Sequence, residues 1–562
     1  LKIPFCGGTY FAKFGKFSNQ RCVNFYPELD SGGAKDKIAL YGTPGLNLAF
    51  TTPNGAPVNA QNVFNGVHYL VAGDTLYSRS ADGPITGVHK GIVPSNHPTY
   101  MSDNGINSQG IGGDQLIIVN GGTAGYIYNV TTGVLSAAGF ANDIGNVTFI
   151  DGYFIGSDTD GMTVYASDLE NGTIYSSLAY SPVEGAPDKI KSLQNVQNQL
   201  FIIKEYTSEL WADAAVPTSQ GFPFMRIPGG VFDFGTPCGA SIVRAGSSIF
   251  GLGNMRTASG PQFGGVFEIT GFVPKIISPP DITYQIQQFS DISDAFAFVQ
   301  SANGHIFIWF TFPTGNATFV YDLMTKMWHE RSTANTTAYQ FNRHVAQSYC
   351  DYNGKHYVSD PVNGNVYEMS DQYLTDFGNP IISVRRAPVL FESANMNMAT
   401  IPRLRIDCET GVGTLAPNHP AICRAVVLAG AINNIIVDDP GSDYIDPPQI
   451  TLSGDAGIGA ILTPVIANGQ LSSVTVTNGG SGYTNPNVNV SGPIVEPTAA
   501  LTWSDDGGAT WSSDYLRDLG NIGKRETILE YRQLGKIQPG RIFQIAISDP
   551  VKKAIFGAYV HG

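Results

Sequence analysis

The stretch Asn65-Gly66-Val67-His68-Tyr69-Leu70-Val71, followed after a polar gap by Leu76-Tyr77, decides how the chain is read. It is a turn, an apolar and aromatic run, and a second run carrying an aromatic. The pattern returns at 113–119 with Tyr126-Ile127-Tyr128, at 151–155 with Val164-Tyr165, and at 198–203 with Glu209-Leu210-Trp211. Further copies are 247–252 with Val266-Phe267-Glu268, and 304–309 with 318–322. The last is Asn353-Gly354-Lys355-His356-Tyr357-Val358 with Val366-Tyr367-Glu368. Marked at Gly66, Gly113, Gly152, Asn198, Ser247, Gly304 and Gly354, the copies are 47, 39, 46, 49, 57 and 50 residues apart. A mean near 48 is about the length of one four-stranded propeller blade. Seven marks predict six or seven blades, because a mark at either end can belong to a shared closing blade.

Composition agrees with an all-β chain. Of 562 residues, 65 are Gly and 34 Pro, supplying turns, while 31 Phe and 26 Tyr supply flat packing groups. No long stretch has helical period. Many turns joining short aromatic strands is an all-β signature, and this length predicts two or three domains. Only 14% of residues are charged, against roughly a quarter in average soluble chains. Such a surface suits large permanent contacts, since little charge must be desolvated on assembly. The net charge of −14 argues against a protein that grips nucleic acid through clustered Lys and Arg.

Six cysteines, Cys6, Cys22, Cys238, Cys350, Cys408 and Cys423, are scattered without close pairs. Neither a disulfide framework nor CxxC metal spacing is present, so reduced structural cysteines made in a cytosol are expected. Leu1-Lys2-Ile3-Pro4-Phe5 lacks a signal-peptide core, and the longest apolar runs, such as 306–312, are too short to span a bilayer.

In chain order, residues 1–50 precede the array. Residues 20–28 alternate into Pro27 and read as one strand, and 38–45 as a second ending in a tight turn. This hairpin feeds the array or pairs with a distant sheet, including the C-terminal platform. Residues 51–381 are the propeller, whose blades cover one another and leave short edges. The competing reading is one or two β-sandwiches with repeats produced by chance alternation. Residues 382–416 and 498–562 form a β-sandwich or barrel-like platform, with 403–408 and 499–503 as neighbouring strands. Between them, 417–497 is an inserted module. There Ala421, Gly430, Val437, Gly441, Ser442, Tyr444 and Pro447 recur 39 residues later as Ala460, Gly469, Val476, Gly480, Ser481, Tyr483 and Pro486.

No motif carries catalysis. Ser504-Asp505-Asp506-Gly507-Gly508-Ala509-Thr510-Trp511 fits an Asp-box turn, S-x-D-x-G-x-T-W, which sialidases carry once per blade. Here it occurs once, outside the array, and reads as a structural turn. Glycoside hydrolysis needs two carboxylates about 5–10 Å apart, and sialic-acid sites need several Arg. Arg79, Arg226, Arg244, Arg256, Arg331 and Arg343 share no motif. His68, His305 and His356 occupy similar repeat positions and read as structural. Asp158-Thr159-Asp160-Gly161 departs from a Ca²⁺ loop, with Gly too early and Leu169 where a bidentate Glu belongs. The expectation is no enzyme activity, no catalytic, metal or cofactor-binding residues, and no cofactor. The alternative is a carbohydrate-binding or carbohydrate-active propeller, as adhesin or glycosidase.

Several segments together resemble a known family. Lys2-Ile3-Pro4-Phe5 with Gly7-Gly8, residues 20–28, and Leu40-Tyr41-Gly42-Thr43-Pro44-Gly45-Leu46 look like the opening of the packaged-DNA stabilisation proteins of short-tailed phages, also called tail hub or nozzle proteins. Val320-Tyr321-Asp322-Leu323 with Met327-Trp328-His329-Glu330-Arg331 is similar to their last-blade signature. Residues 503–508, Ser548-Asp549-Pro550-Val551 and Gly557-Ala558-Tyr559 resemble their C-terminal domain. The duplicated module departs from the pattern. Its Gly-Ser-x-Tyr units resemble small β modules on phage surface proteins, which implies decoration, host contact or fibre docking.

The resemblance implies a homohexameric tail nozzle in the virion, made in the host bacterial cytoplasm. Such a ring would continue the portal–adaptor channel, retain packaged DNA and conduct it on ejection. Implied partners are further copies of the chain, the head-to-tail adaptor ring, and tailspike, tail-fibre or needle proteins, with transient passage of DNA and no membrane segment. A lumen lined by carboxylates would let DNA slide.

Overall fold

The computed structural model describes the chain except residues 1, 31, 33–36, 81–84, 86, 106–111, 258–259, 334–340, 391–398, 414–419, 443, 445–446, 493–496, 538–539 and 562. Two compact units divide it: Leu48–Lys326 with Asn342–Met369, and Leu1–Asn47 with Met327–Phe341 and Ser370–Gly562.

The first unit is a seven-bladed propeller built from antiparallel sheets. Its first sheet is Val58–Phe64, Val67–Ala72, Thr75–Ser80 and Gly87–Lys90. Four-stranded sheets follow over residues 100–137, 144–182, 190–232 and 243–276. The sixth blade contributes Phe296–Ala302, His305–Phe312 and Ala317–Asp322 to this unit. In the seventh, Tyr349–Tyr352, Lys355–Ser359 and Asn365–Ser370 are joined by residues 48–51, the end of strand Gly45–Thr51. There Thr51 Oγ1 donates to Asn365 Oδ1 at 2.8 Å, and the Thr52 amide to the Gly364 carbonyl at 2.8 Å. An early strand thus closes the last blade. The segment 320–323, similar to a last-blade signature, lies in the sixth, because a complete seventh follows it.

First strands of successive blades are neighbours, except that blade four meets blade five through the turn Gly239–Ser241 and the seam of Phe201, Leu210, Ile249 and Phe267, and Tyr349–Tyr352 returns to Val58–Phe64, so the ring is closed. Apolar side chains fill each blade-to-blade seam. Ile117, Val119, Phe140 and Phe154 pack between blades two and three, and Ile155, Val164, Leu200 and Trp211 between three and four.

Turn chemistry explains the repeat marks. Asn65-Gly66, Asp151-Gly152, Asn303-Gly304 and Asn353-Gly354 each join a blade's first two strands with both residues at positive φ, near 50° and 70–86°. Two-residue turns of this hand match the strand twist, and Asn or Asp followed by Gly adopts them at least cost.

The seam between blades seven and one holds a fully buried imidazole. His68 is 0% exposed and lies against the Tyr352 and Tyr357 rings. Its Nε2 meets Gln61 Oε1 at 2.9 Å, while Nδ1 has no partner among the described residues. A second proton would therefore have no acceptor. Burial, with Arg79 adding to it, pushes the group down to about 3 from 6.5. Its stabilising contribution is complete above pH 6.5 and is lost as pH falls from there towards 3, because only the unfolded chain takes up the proton. The loss is on the order of 4 kcal/mol. His68→Gln should flatten the acid limb of the melting temperature between pH 6 and 4, and an unchanged limb would refute this.

The second unit is a β-sandwich. One sheet has the order Phe25–Leu29, Ile38–Gly42, Ala554–His561, Arg403–Cys408, Leu529–Arg532. The other runs Asn19–Val23, Ser383–Arg386, Ile542–Ile547, Thr498–Ser504, Tyr515–Asp518, with Trp328–Glu330 parallel to Asn19–Val23. Phe25, Leu40, Leu404, Ile406 and Tyr531 from the first sheet meet Cys22, Leu501, Phe543 and Ile545 from the second.

Two readings are corrected here. Residues 403–408 and 499–503 are not neighbouring strands. They lie in opposite sheets and face each other through Leu404, Ile406, Ala499 and Leu501. Residues 20–28 are not one strand either. Asn24, at φ 51°, breaks the run and sends its halves into different sheets. Pro27 does not stop the second half, because Phe25–Leu29 is an edge strand, where a missing N–H is tolerated.

In the inserted module each repeat is a hairpin plus a short strand. Ile422–Leu428 pairs with Ala431–Asp439, Ile458–Ala467 with Gln470–Ser481, and Ile450–Ser453 with Asn487–Val490 across the repeats. The exchange is reciprocal: Tyr444 N donates to Gly469 O and Tyr483 N to Gly430 O, both at 3.0 Å. Ile432, Ile435, Leu471 and Val474 fill the space between the hairpins. Neither repeat alone covers that core.

One α-helix occurs among the described residues, Pro280–Gln287, starting with Pro at its first position.

Candidate functional site

Among the described residues, the buried charged side chains of the sandwich act as structural clamps. In the sandwich, three clamps gather the N-terminal strands. Arg385, 0% exposed, donates from Nε to Phe5 O at 2.6 Å, from Nη1 to Gly8 O and Arg21 O at 2.9 and 3.3 Å, and from Nη2 to Gln20 Oε1 at 3.1 Å. Burial lowers its pKa from the usual guanidinium value. Arg21 forks onto both carboxylate oxygens of Glu330, and Thr9 Oγ1 also donates to that carboxylate at 3.2 Å. Asn24 donates to the Ser332 and Ile382 carbonyls, both at 2.9 Å, and accepts from Ser332 N.

The Asp-box turn adds a fourth clamp to these three. Asp506 accepts from Thr510 Oγ1, Thr510 N and Ser504 Oγ, which hold its carboxyl well below the usual range. Asn19 Nδ2 donates to Gly507 O at 3.0 Å, and the Arg386 guanidinium lies 4.5 Å from the Trp511 ring centre. The box therefore fastens the strand starting at Asn19, and every carboxylate oxygen of Asp506 is engaged inside the turn.

In the propeller, a cavity of about 740 Å³ is lined by first-strand residues including Gln61, Tyr100, Phe298 and Tyr349. Among the described residues lining it, Asp294 is the one carboxylate, and its Oδ2 accepts from Thr314 N and Oγ1. The paired carboxylates of a glycosidase are not assembled there. The array arginines are not brought together. Arg79 stacks on Phe50 and Tyr357, Arg226 reaches Glu209 at 3.9 Å, Arg244 bonds Gly246 O and Asn195 O, and Arg343 bonds Gln347. Arg331 belongs to the sandwich unit, and the Arg256 side chain lies outside the described residues.

His305 Nδ1 meets Asp322 Oδ2 and His356 Nδ1 meets Tyr349 Oη, both at 2.8 Å, so each histidine of the repeat bonds within its own blade. Asp158 accepts from Asn142, and Asp160 faces Lys189 and Lys191 at 3.7 and 3.9 Å. No cluster of three or more His, Cys, Asp or Glu with metal-binding geometry occurs among the described residues. Among the described residues, no helix is long and apolar enough to cross a membrane.

Sequence reasoning passed over Arg385, Glu330 and Lys204. The available signal was a charge set between apolar strand residues, as in Ser383-Val384-Arg385-Arg386. In a two-layer domain such a charge must find partners inside.

No curated protein matches the chain. Among solved structures, similarity extends to the extracellular domain of a one-component system from B. thetaiotaomicron, at 11% identity and TM-score 0.37, covering 58% of this chain and 40% of that one. The N-terminal domain of Nup159 gives 9% and 0.36, covering 62% and 98%, and BamB from Moraxella catarrhalis 12% and 0.34, covering 63% and 98%. The chain thus spans less than half of the first of these. Family models are decisive where these structures are not. Residues 1–373 match the bacteriophage P22 Gp10 β-propeller and residues 471–562 the P22 Gp10 β-sandwich, leaving 374–470 outside both. The propeller and the sandwich are thus the two parts of a phage structural protein, and the chain belongs to the bacteriophage P22 Gp10 family of phage stabilisation proteins.

Proposed function

We propose that the protein forms a homohexameric tail nozzle that continues the portal–adaptor channel, retains packaged DNA and conducts it during ejection. The match of both the propeller and the sandwich to one phage stabilisation family carries this reading. Charge supports it: at −14 per chain, a ring of several copies repels the polyanion that it must let pass. The weakly charged surface suits close packing of copies and of an adaptor ring, and tailspikes, fibres or a needle would attach to the assembled ring. The duplicated module, which lies largely outside the family match, is the part best suited to a partner peculiar to this phage.

Light scattering on a sizing column tests the reading. Mixed with its adaptor ring, the protein is expected to co-elute as a ring of about six copies on that template. A chain that stays monomeric and apart from the adaptor ring would sink the nozzle.

A further inference from the structure

The loop 12–18 of the sandwich, Ala-Lys-Phe-Gly-Lys-Phe-Ser, holds two aromatic rings out in solvent. Phe14 is 70% and Phe17 75% exposed, and Lys13 and Lys16 beside them are exposed as well. The loop is braced. Phe17 N donates to Phe14 O at 2.9 Å, Ala12 N to Ser18 O at 3.1 Å, and Ser18 Oγ to Tyr10 O at 3.0 Å. Gly15 packs so closely on the Gly507 carbonyl that a side chain there would collide with it. A fixed loop presenting two phenyl rings between two ammonium groups is built like an anchor, since each ring can remove roughly 150–250 Å² from water.

The same unit carries a receptacle. A cavity of about 460 Å³ is lined by Tyr26, Tyr41, Ile381, Val412 and Phe556, with the exposed carboxylates Asp371 and Glu409 at its walls. Lys552 is the opposing exposed charge, while Lys553 turns its ammonium onto Ile381 O and Ser383 Oγ. Anchor and receptacle lie at opposite ends of strand Asn19–Val23. The anchor adjoins Asn19 through the Asp-box turn, and the receptacle adjoins Asn24, whose carbonyl accepts from Thr43 N at 3.2 Å. One copy's anchor therefore cannot occupy its own receptacle.

We propose that the Phe14–Phe17 anchor of one copy seats in the Tyr26–Phe556 receptacle of a second copy, with Lys13 and Lys16 facing Asp371 and Glu409. Complementary charge and an apolar centre commit the occupant to this chain itself. A head-to-tail contact of this kind repeats from copy to copy and closes a ring when the rotation allows. The inference rests on the ring reading but assigns its contact.

The test mixes full-length Lys16→Cys and Glu409→Cys chains under mild oxidation, with wild-type chain as background. A disulfide-linked heterodimer is expected only from the mixture, and Phe14→Ala/Phe17→Ala should lower self-association about 100-fold. Lys13→Glu/Lys16→Glu should weaken association about 10-fold, and adding Asp371→Lys/Glu409→Lys should restore it. These positions are exposed, so circular dichroism should be unchanged. Rings that form without the cross-link overturn the contact and leave the ring reading standing. Chains that neither cross-link nor associate, even with the adaptor ring added, overturn both.

Discussion

Lys204→Met should destabilise the propeller by about 3–5 kcal/mol, the cost of leaving buried carboxylates without their cation. Lys204 ends the apolar run Leu200 to Ile203 and is 0% exposed. Its ammonium lies 2.9 Å from Glu209 Oε1 and 3.0 Å from Asp188 Oδ1, and donates to Ala186 O at 2.9 Å. The carboxylates are themselves woven into the blade. Glu209 accepts from Gly185 N and Trp211 Nε1, and Asp188 from Tyr206 N and Thr207 N. Removing the cation strands two negative charges about a residue of methionine. Replacing all three, as Lys204→Met/Asp188→Asn/Glu209→Gln, removes the net charge while keeping acceptors for those amides, and should recover most of the loss. With two units the chain is not a two-state system, so the readout should be local. Amide exchange over residues 199–213 should accelerate in the single variant and return towards wild type in the triple. Equal exchange in the two variants would show that packing of the lysine stem, not its charge, matters here.

The contrast between that lysine and its strand shows which parts of the molecule can be read in one dimension. The blade repeat was legible because its signal is local. Asn-Gly at a hairpin and an apolar run after it are dictated by two-residue turns and by burial on both faces, whatever the rest of the chain does. The all-β propeller with a sandwich followed from those signals and from the family resemblance, and the duplicated module from simple identity at a fixed offset. What failed was long-range. Nothing local distinguishes residues 403–408 and 498–504 as facing rather than adjacent strands, since each simply buries a few apolar residues, Leu404 and Ile406 in one and Ala499 and Leu501 in the other. Asn24 looks like any polar residue in an alternating strand, yet its left-handed backbone splits the run. The clamps of the sandwich join residues more than 300 positions apart, as Arg21 with Glu330 and Arg385 with Phe5 do. Such pairs exist only once the fold brings them together.

The Arg385 clamp yields the other large effect. Arg385→Met should cost about 4 kcal/mol or more, because it unsatisfies several buried backbone acceptors at once. The guanidinium spans the carbonyls of Phe5, Gly8 and Arg21, and among the described residues no carboxylate is a hydrogen-bond partner. Its role is therefore to donate, in a planar fork, to three points of one segment. Arg385→Lys keeps the charge but not the fork, and should rescue only part of the loss. The damage should be directional. Residues 2–11 are tied to the sandwich by Lys2 and Ile3 on Tyr559 and Ala558, by Thr9 on Glu330, and by this fork. Loss of the fork should open that segment first, seen as early protease cleavage near Lys13 or Lys16 while the propeller stays resistant. Because that segment carries the proposed copy-to-copy anchor, self-association should fall with it, although Arg385 itself is buried. Stable protein with an unaltered cleavage pattern would mean that the three carbonyls are satisfied another way, and that the N-terminal strands hold without the fork.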